Sequence, residues 1–203
     1  MRPGRSPRRF STRCVLALAL AFAVSGEVAA GDSGFHAKTL VHASEHPFQL
    51  PDEHGVLRSS SEFKGRVVLM FFGFTHCPDV CPTELARLAE VVGLLTPGQA
   101  RQVQVIFVTL DPARDTPELL RGYVAAFSPD FIALRGNEAE TAELAEAFRV
   151  FYRRVEGSAP DRYTLEHSAY IHAIDKQGRL RLRMPGSLGT GEIAEDVRSL
   201  LAE

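Results

Sequence analysis

An α/β fold, with a central mixed β-sheet flanked by helices and an N-terminal β-hairpin extension, is predicted by three features of the sequence. Apolar runs of strand length alternate with 3.6-period runs of helix length between Val67 and Phe151. Beyond them a period-2 hairpin and an amphipathic helix close the chain. The cysteines Cys77 and Cys81 stand at the corner between the first long strand and the first helix.

Taken in order, Phe48-Gln49-Leu50, Asp52-Glu53-His54-Gly55 and Val56-Leu57 read as strand, turn and returning strand, which is the hairpin extension. Val67 to Phe72 is a near-continuous apolar run, suited to a central strand buried on both faces. Leu85, Leu88, Ala89, Val92 and Leu95 then share one face of a helix over 83–95, with Pro82 suited to its first turn and Pro97-Gly98 as its stop. Val103 to Leu110 is a second buried strand. Asp111 to Thr116 forms a loop into a helix that starts at Pro117 and turns Leu119, Tyr123 and Phe127 inward. Phe131 to Leu134 is a third strand, and Asn137 with Glu140 caps a helix whose inner face carries Leu144, Phe148 and Phe151. Glu156 to Glu166 has no period and predicts a long loop, functional or mobile. Ser168 to Ile174 and Arg179 to Met184 form a hairpin around Asp175-Lys176-Gln177-Gly178, with Arg179, Arg181 and Arg183 outward as on a charge-protected edge strand. A last helix turns Ile193, Val197 and Leu200 inward. With a dithiol after an early strand, this order predicts a thioredoxin-like fold.

The 203 residues, 45% hydrophobic and 24% charged, suit one globular domain with extras. Residues 1–30 read as a signal peptide cut after Ala30, with an N-terminal membrane anchor as the alternative. Five arginines precede the apolar run Cys14 to Val24, and its eleven residues fall short of the roughly 20 that span a bilayer. Residues 31–46 read as a flexible polar lead, and 47–203 as the domain. Cleavage removes five positive charges and one negative, taking the net charge from −2 to −6. That acidity argues against nucleic acid, and no nucleotide-binding glycine loop or nucleophilic serine elbow is present.

After cleavage Cys77 and Cys81 are the only cysteines left. In an oxidising compartment two cysteines suggest a structural disulfide, yet a bridge across so short a loop constrains the unfolded chain little. The pair is therefore read as made to open and close. At a helix start, unpaired N–H groups and the macrodipole favour the thiolate, which both binds metal and attacks disulfides. The residues alone leave these two uses open; because they share atoms, oxidation of the pair abolishes metal binding. Three intervening residues, against the two of a redox Cys-x-x-Cys, widen the gap between sulfurs and suit chelation. His76 is either a modulator or fourth donor beside Cys77 or an exposed loop residue, and Asp79 a modulator, a recruiter of basic partners or a turn residue. His172 reads as structural, and Asp111, Arg114 and Asp115 as caps of the next helix.

At Phe72-Gly73-Phe74-Thr75-His76-Cys77-Pro78-Asp79-Val80-Cys81-Pro82 the chain resembles the Sco/SenC family of thioredoxin-like copper proteins. The resemblance extends through Val108-Thr109-Leu110-Asp111-Pro112-Ala113-Arg114-Asp115-Thr116-Pro117 to His167, and covers roughly 46–203. It implies a metallochaperone of the cell envelope, in the periplasm or on the outer face of the cytoplasmic membrane, with Cys77, Cys81 and His167 as copper ligands. The implied acceptor is the copper-receiving subunit of cytochrome c oxidase, at its dinuclear copper site, or another envelope copper protein; a thiol reductant is a further implied partner. Two thiolates and an imidazole favour Cu(I), with Cu(II) if a fourth donor joins; zinc, which prefers four closed ligands, fits less well. Two departures stand out: Glu166 where the family usually has Asp before the ligand histidine, and a weak anchor segment where many relatives keep a transmembrane helix.

Overall fold

The computed structural model describes Met1, 34–158 and 162–203, so the signal, anchor and cleavage readings on 1–30 lie outside the described residues. The chain runs through β1 (Lys38–Glu45), β2 (Gln49–Pro51), β3 (Leu57–Ser59), a 3-10 turn (Ser60–Phe63), β4 (Val67–Gly73), α1 (Val80–Gly93), α2 (Pro97–Ala100) and β5 (Val103–Thr109). It continues with α3 (Pro117–Ala125), β6 (Ile132–Leu134), α4 (Glu138–Ala147), β7 (Tyr152–Glu156), β8 (Tyr163–His167), β9 (Ile171–Ile174), β10 (Arg179–Met184) and α5 (Thr190–Ala202). A six-stranded sheet has the order β1-β10-β9-β4-β5-β6. Its β4, β5 and β6 are parallel, whereas β9 runs antiparallel to β4 and β10 antiparallel to β9, which makes the mixed sheet of a thioredoxin-like fold. Among the described residues no helix is long and apolar enough to cross a membrane.

All seven residues of β4 are buried, because helices cover both faces of the sheet. Its side chains alternate between two cores. Val67, Leu69 and Phe71 join Leu85, Leu88, Leu120, Val124, Val197 and Leu200 on one face. Val68, Met70 and Phe72 join Leu144, Phe148, Leu50 and Phe63 on the other. Burying each such side chain stabilises the fold by roughly 1.5–3 kcal/mol, so β4 is the strand least free to move. The site hangs from its C-terminal end.

Several expectations are corrected. Lys38–Glu45, inside the segment read as a flexible lead, is an edge strand on β10; its register slips between Thr39 and Ser44, which hides any alternation. It is tied down at its start by the buried Asp196, whose carboxylate accepts from the His36 and Ala37 backbone N–H groups at 2.7 and 2.8 Å. With β1 in place β10 is interior, and its arginines face partners rather than open solvent: Arg181 pairs with Asp175 and Glu203. Tyr163 to Glu166, within the stretch read as a long loop, belong to β8 and pair with β7 in a hairpin, whose weak pattern reflects strands exposed along one side. Leu119 is exposed while Leu120 and Val124 carry the buried face of α3. Phe151 is 61% exposed, because α4 ends at Ala147 and Arg149 turns the chain away with φ 54°. Pro97-Gly98 opens the short α2, boxed by Thr96 and Gln99, rather than merely stopping α1.

Candidate metal centre

The site begins at Gly73, the last residue of β4. A Cβ there would lie 2.7 Å from the Cys81 Sγ and 2.9 Å from the Phe107 ring, so only glycine lets the sulfur of the helix above reach the strand. The chain then turns, with the Cys77 N–H donating to the Phe74 carbonyl at 3.3 Å, and α1 starts at Val80, three residues earlier than the sequence pattern suggested. Cys81 thus sits in the first helical turn. The N-cap residue Asp79 makes no side-chain cap bond; instead the Cys81 N–H points at the Cys77 Sγ, 3.4 Å away. A sulfur fills the acceptor role that a capping oxygen usually takes.

His167 ends β8 and brings its Nε2 to 3.3 Å from the Cys81 Sγ. Its other nitrogen, Nδ1, lies 3.1 Å from the Ser168 carbonyl, which can only accept, so Nδ1 carries the proton and the Nε2 lone pair faces the sulfurs. The ring stands edge-on to Phe71 and Phe74, with centroids 6.1 and 5.9 Å away. Within this frame the two sulfurs and the imidazole nitrogen all lie within 4.8 Å of one another. Both cysteines are free thiols, Cys81 buried and Cys77 half-buried.

Their protonation is divided. A hydrogen bond from the Cys81 thiol, with the backbone N–H groups of Asp79 and Cys81, outweighs burial and pushes the Cys77 thiol down to about 4. The same bond, seen from the other side, joins burial to push Cys81 well above the ordinary thiol range. Cys77 is therefore thiolate across the neutral range. Its alkylation by iodoacetamide should run at a nearly constant rate between about pH 6 and 8, where an ordinary thiol of pKa about 8.5 slows roughly tenfold per unit. Such an ordinary slope, followed by peptide mass spectrometry, would contradict the assignment.

Two carboxylates hold the arms of the site, and neither caps a helix. That duty falls to Thr116, whose hydroxyl accepts from the Leu119 N–H at 3.3 Å. Asp115, wholly buried, accepts from the Thr75 N–H at 3.1 Å, the Thr75 hydroxyl at 2.6 Å and the Thr109 hydroxyl at 2.5 Å, and so pins the loop before Cys77. Asp111 accepts from the Tyr163 hydroxyl at 2.7 Å and from Arg114 at 2.5 Å. Arg114 in turn donates to the Tyr163 carbonyl at 2.8 Å and lies over its ring, which fastens the hairpin that carries His167. Thr75, Tyr163 and Gly73 were not singled out by sequence reasoning, because their partners are remote in the chain.

The remaining residues stay outside the cluster. His76 is half-exposed and rests on the Thr75 hydroxyl at 3.1 Å, with its Nδ1 3.7 Å from Asp115. Asp79 acts on Cys77 through its backbone N–H. Glu166 is exposed and paired with Arg153 at 2.7 Å, on the face of β8 opposite His167, so the extra methylene lies away from the sulfurs. His172 is a core residue between the Phe72 and Phe148 rings, where burial pushes its imidazole down to about 3.

Comparison with known proteins gives a consistent result. Residues 37–202 match the SCO1/SenC family model. The chain is 39% identical over 150 residues to a SCO2-like protein of Rickettsia prowazekii, an alignment covering 73% of each. Among solved structures it is similar to apo Sco1 from Thermus thermophilus (TM-score 0.76, 38% identity, 82% of this chain and 97% of that one). It is also similar to ScoI of Bradyrhizobium japonicum with copper bound (TM-score 0.71, 37% identity, 78% and 100%). By motif, by sequence over most of its length and by the fold that sets its cysteines against His167, this chain belongs to the SCO1/SenC family.

Proposed function

We propose that the protein is a copper carrier of the cell envelope, in which Cys77, Cys81 and His167 hold one Cu(I) ion and release it to the copper-receiving subunit of cytochrome c oxidase. The observation that carries this reading is the convergence of three soft or borderline donors, from α1, its preceding loop and β8, within 4.8 Å of one another. Cu(I) is at ease with three such ligands, and a site already assembled spares the metal the cost of gathering them. The relative from Bradyrhizobium japonicum is described with copper bound. The family motif around Cys77 and Cys81 supports the oxidase as destination.

The arginine-rich, apolar start of the chain supports export. An intact mass of the exported, reduced and copper-loaded protein is expected to match 31–203 plus one copper atom. A mass that retains 1–30 assigns a membrane tether instead, and absence of copper under reducing conditions overturns the carrier reading.

The low pKa of Cys77 also favours a second reading, in which the pair exchanges disulfides with a thiol reductant and an acceptor. Such a reductase keeps its turnover without His167 and loses it in Cys77→Ser.

A further inference from the structure

On the sheet face that carries Met70 and Phe72, two cationic side chains stand opposite each other on adjacent strands, with the neutral imidazole of His172 next in the row. Lys38 of β1 is the register partner of Arg183 of β10, and Arg183 that of His172 of β9. Directly opposed residues of an antiparallel pair share a face, and like charges so placed repel. The end of α4 lies over this row, and between them runs a groove of about 320 Å³ lined by Lys38, His42, His46, Phe148, Arg149 and Arg183 among others, with no carboxylate among its lining residues.

The donors here outnumber their acceptors. Arg183 gives one bond to the Phe148 carbonyl, at 3.2 Å, but its Nε is sealed from solvent without a partner. Both ring nitrogens of His172, a residue only 1% exposed, are likewise without a partner, although its ring lies against Phe72 and Phe148 behind the groove lining rather than in it. Lys38 makes no ion pair with any described residue. The negative end of α4 takes one Arg183 bond and the Tyr170 ring lies 5.4 Å from the Arg183 guanidinium carbon, but neither is an anionic partner. The buried Arg183 Nε–H, beside a groove with no carboxylate, is a donor that an anion would satisfy.

We propose that this groove binds a phosphate group, with the Arg183 guanidinium and the Lys38 ammonium as its charged contacts, Arg149 at its rim and His172 behind. Two guanidinium groups and an ammonium match a doubly charged tetrahedral oxyanion better than a single carboxylate, and a guanidinium presents paired N–H groups to its oxygens. The groove is roomier than bare phosphate needs, so it admits a phosphate ester, either a soluble monoester or the headgroup of an anionic lipid. This site shares no residue with the copper centre.

The test uses the exported protein in two arms. In the first, inorganic phosphate is titrated at constant ionic strength against sodium chloride while the amide and imidazole resonances of residues 38–46, 148, 149, 172 and 183 are followed by NMR. A saturable shift confined to these residues is expected, weakened about tenfold in Lys38→Gln, the loss of one charge-assisted bond, and more in Arg183→Gln. Lys38 is exposed, so its replacement keeps the test sound if Arg183→Gln misfolds. In the second arm, sedimentation with phosphatidylglycerol vesicles is compared with phosphatidylcholine vesicles. Retention on the anionic vesicles that Lys38→Gln reduces assigns a lipid headgroup; the phosphate shift without retention assigns a soluble ligand. No response in either arm, or a response that both variants leave unchanged, overturns the proposal. Copper uptake stays at one equivalent throughout if the carrier reading holds, so the two can fail separately.

Discussion

Replacing His167 by Ala is expected to weaken Cu(I) binding by more than about 100-fold while leaving the domain folded. Loss of a group that merely orients a ligand costs roughly 10- to 100-fold in metal affinity, and here the donor itself is removed, leaving two sulfurs. The fold is insulated from the change. His167 is only half-buried, its ring meets Phe71 and Phe74 edge-on, and the hairpin beneath is held independently by Asp111, Arg114 and Tyr163. Stability should fall by no more than about 1 kcal/mol. Competition with a chromophoric Cu(I) chelator, read beside thermal unfolding, separates the two effects. An affinity that survives the substitution would remove the imidazole from the ligand set and favour the reductase reading.

The second large effect is expected at a residue with no side chain. Gly73→Ala places a carbon 2.7 Å from the Cys81 sulfur and 2.9 Å from the Phe107 ring, and neither neighbour has room to retreat. Cys81 is fixed in the first turn of α1 and Phe107 lies wholly inside the core. Overpacking of this kind costs about 1–3 kcal/mol, and relief by moving the sulfur breaks the convergence on which metal binding depends. Stability and copper affinity should therefore fall together. Gly122→Ala in α3 is the control: nothing lies within 4 Å of its added carbon, and a gain of roughly 0.4–1 kcal/mol is expected. A Gly73→Ala protein that unfolds and binds copper like the parent would refute the packing argument.

The contrast between β4 and β1 shows what could be read in advance. A strand buried on both faces must be apolar throughout, so Val67 to Phe72 announces itself. The β1 strand lies at a sheet edge, carries a break in register and pairs with a partner some 140 residues away, so its residues carry no pattern to read. The β7–β8 hairpin was hidden for a similar reason. At the site, the dithiol and its helix are local and legible, whereas His167 was identified only through family resemblance. Asp111 and Asp115 were misjudged because their spacing before a helix resembles capping. Their true partners, Tyr163 and Thr75, lie 52 and 40 residues away, beyond the reach of any local pattern.

Asp111 and Asp115 belong to the same turn, so the two halves of the chelate are referenced to one short piece of backbone. That turn works as a yoke: one buried carboxylate steadies the sulfur arm, and the other reins in the nitrogen arm. The two reins are separate, since the Asp115 carboxylate bonds to the sulfur arm and the strand end beneath it while Asp111 and Arg114 hold the hairpin. Loosening the Arg114 contact would therefore free the nitrogen arm and leave the sulfurs in place.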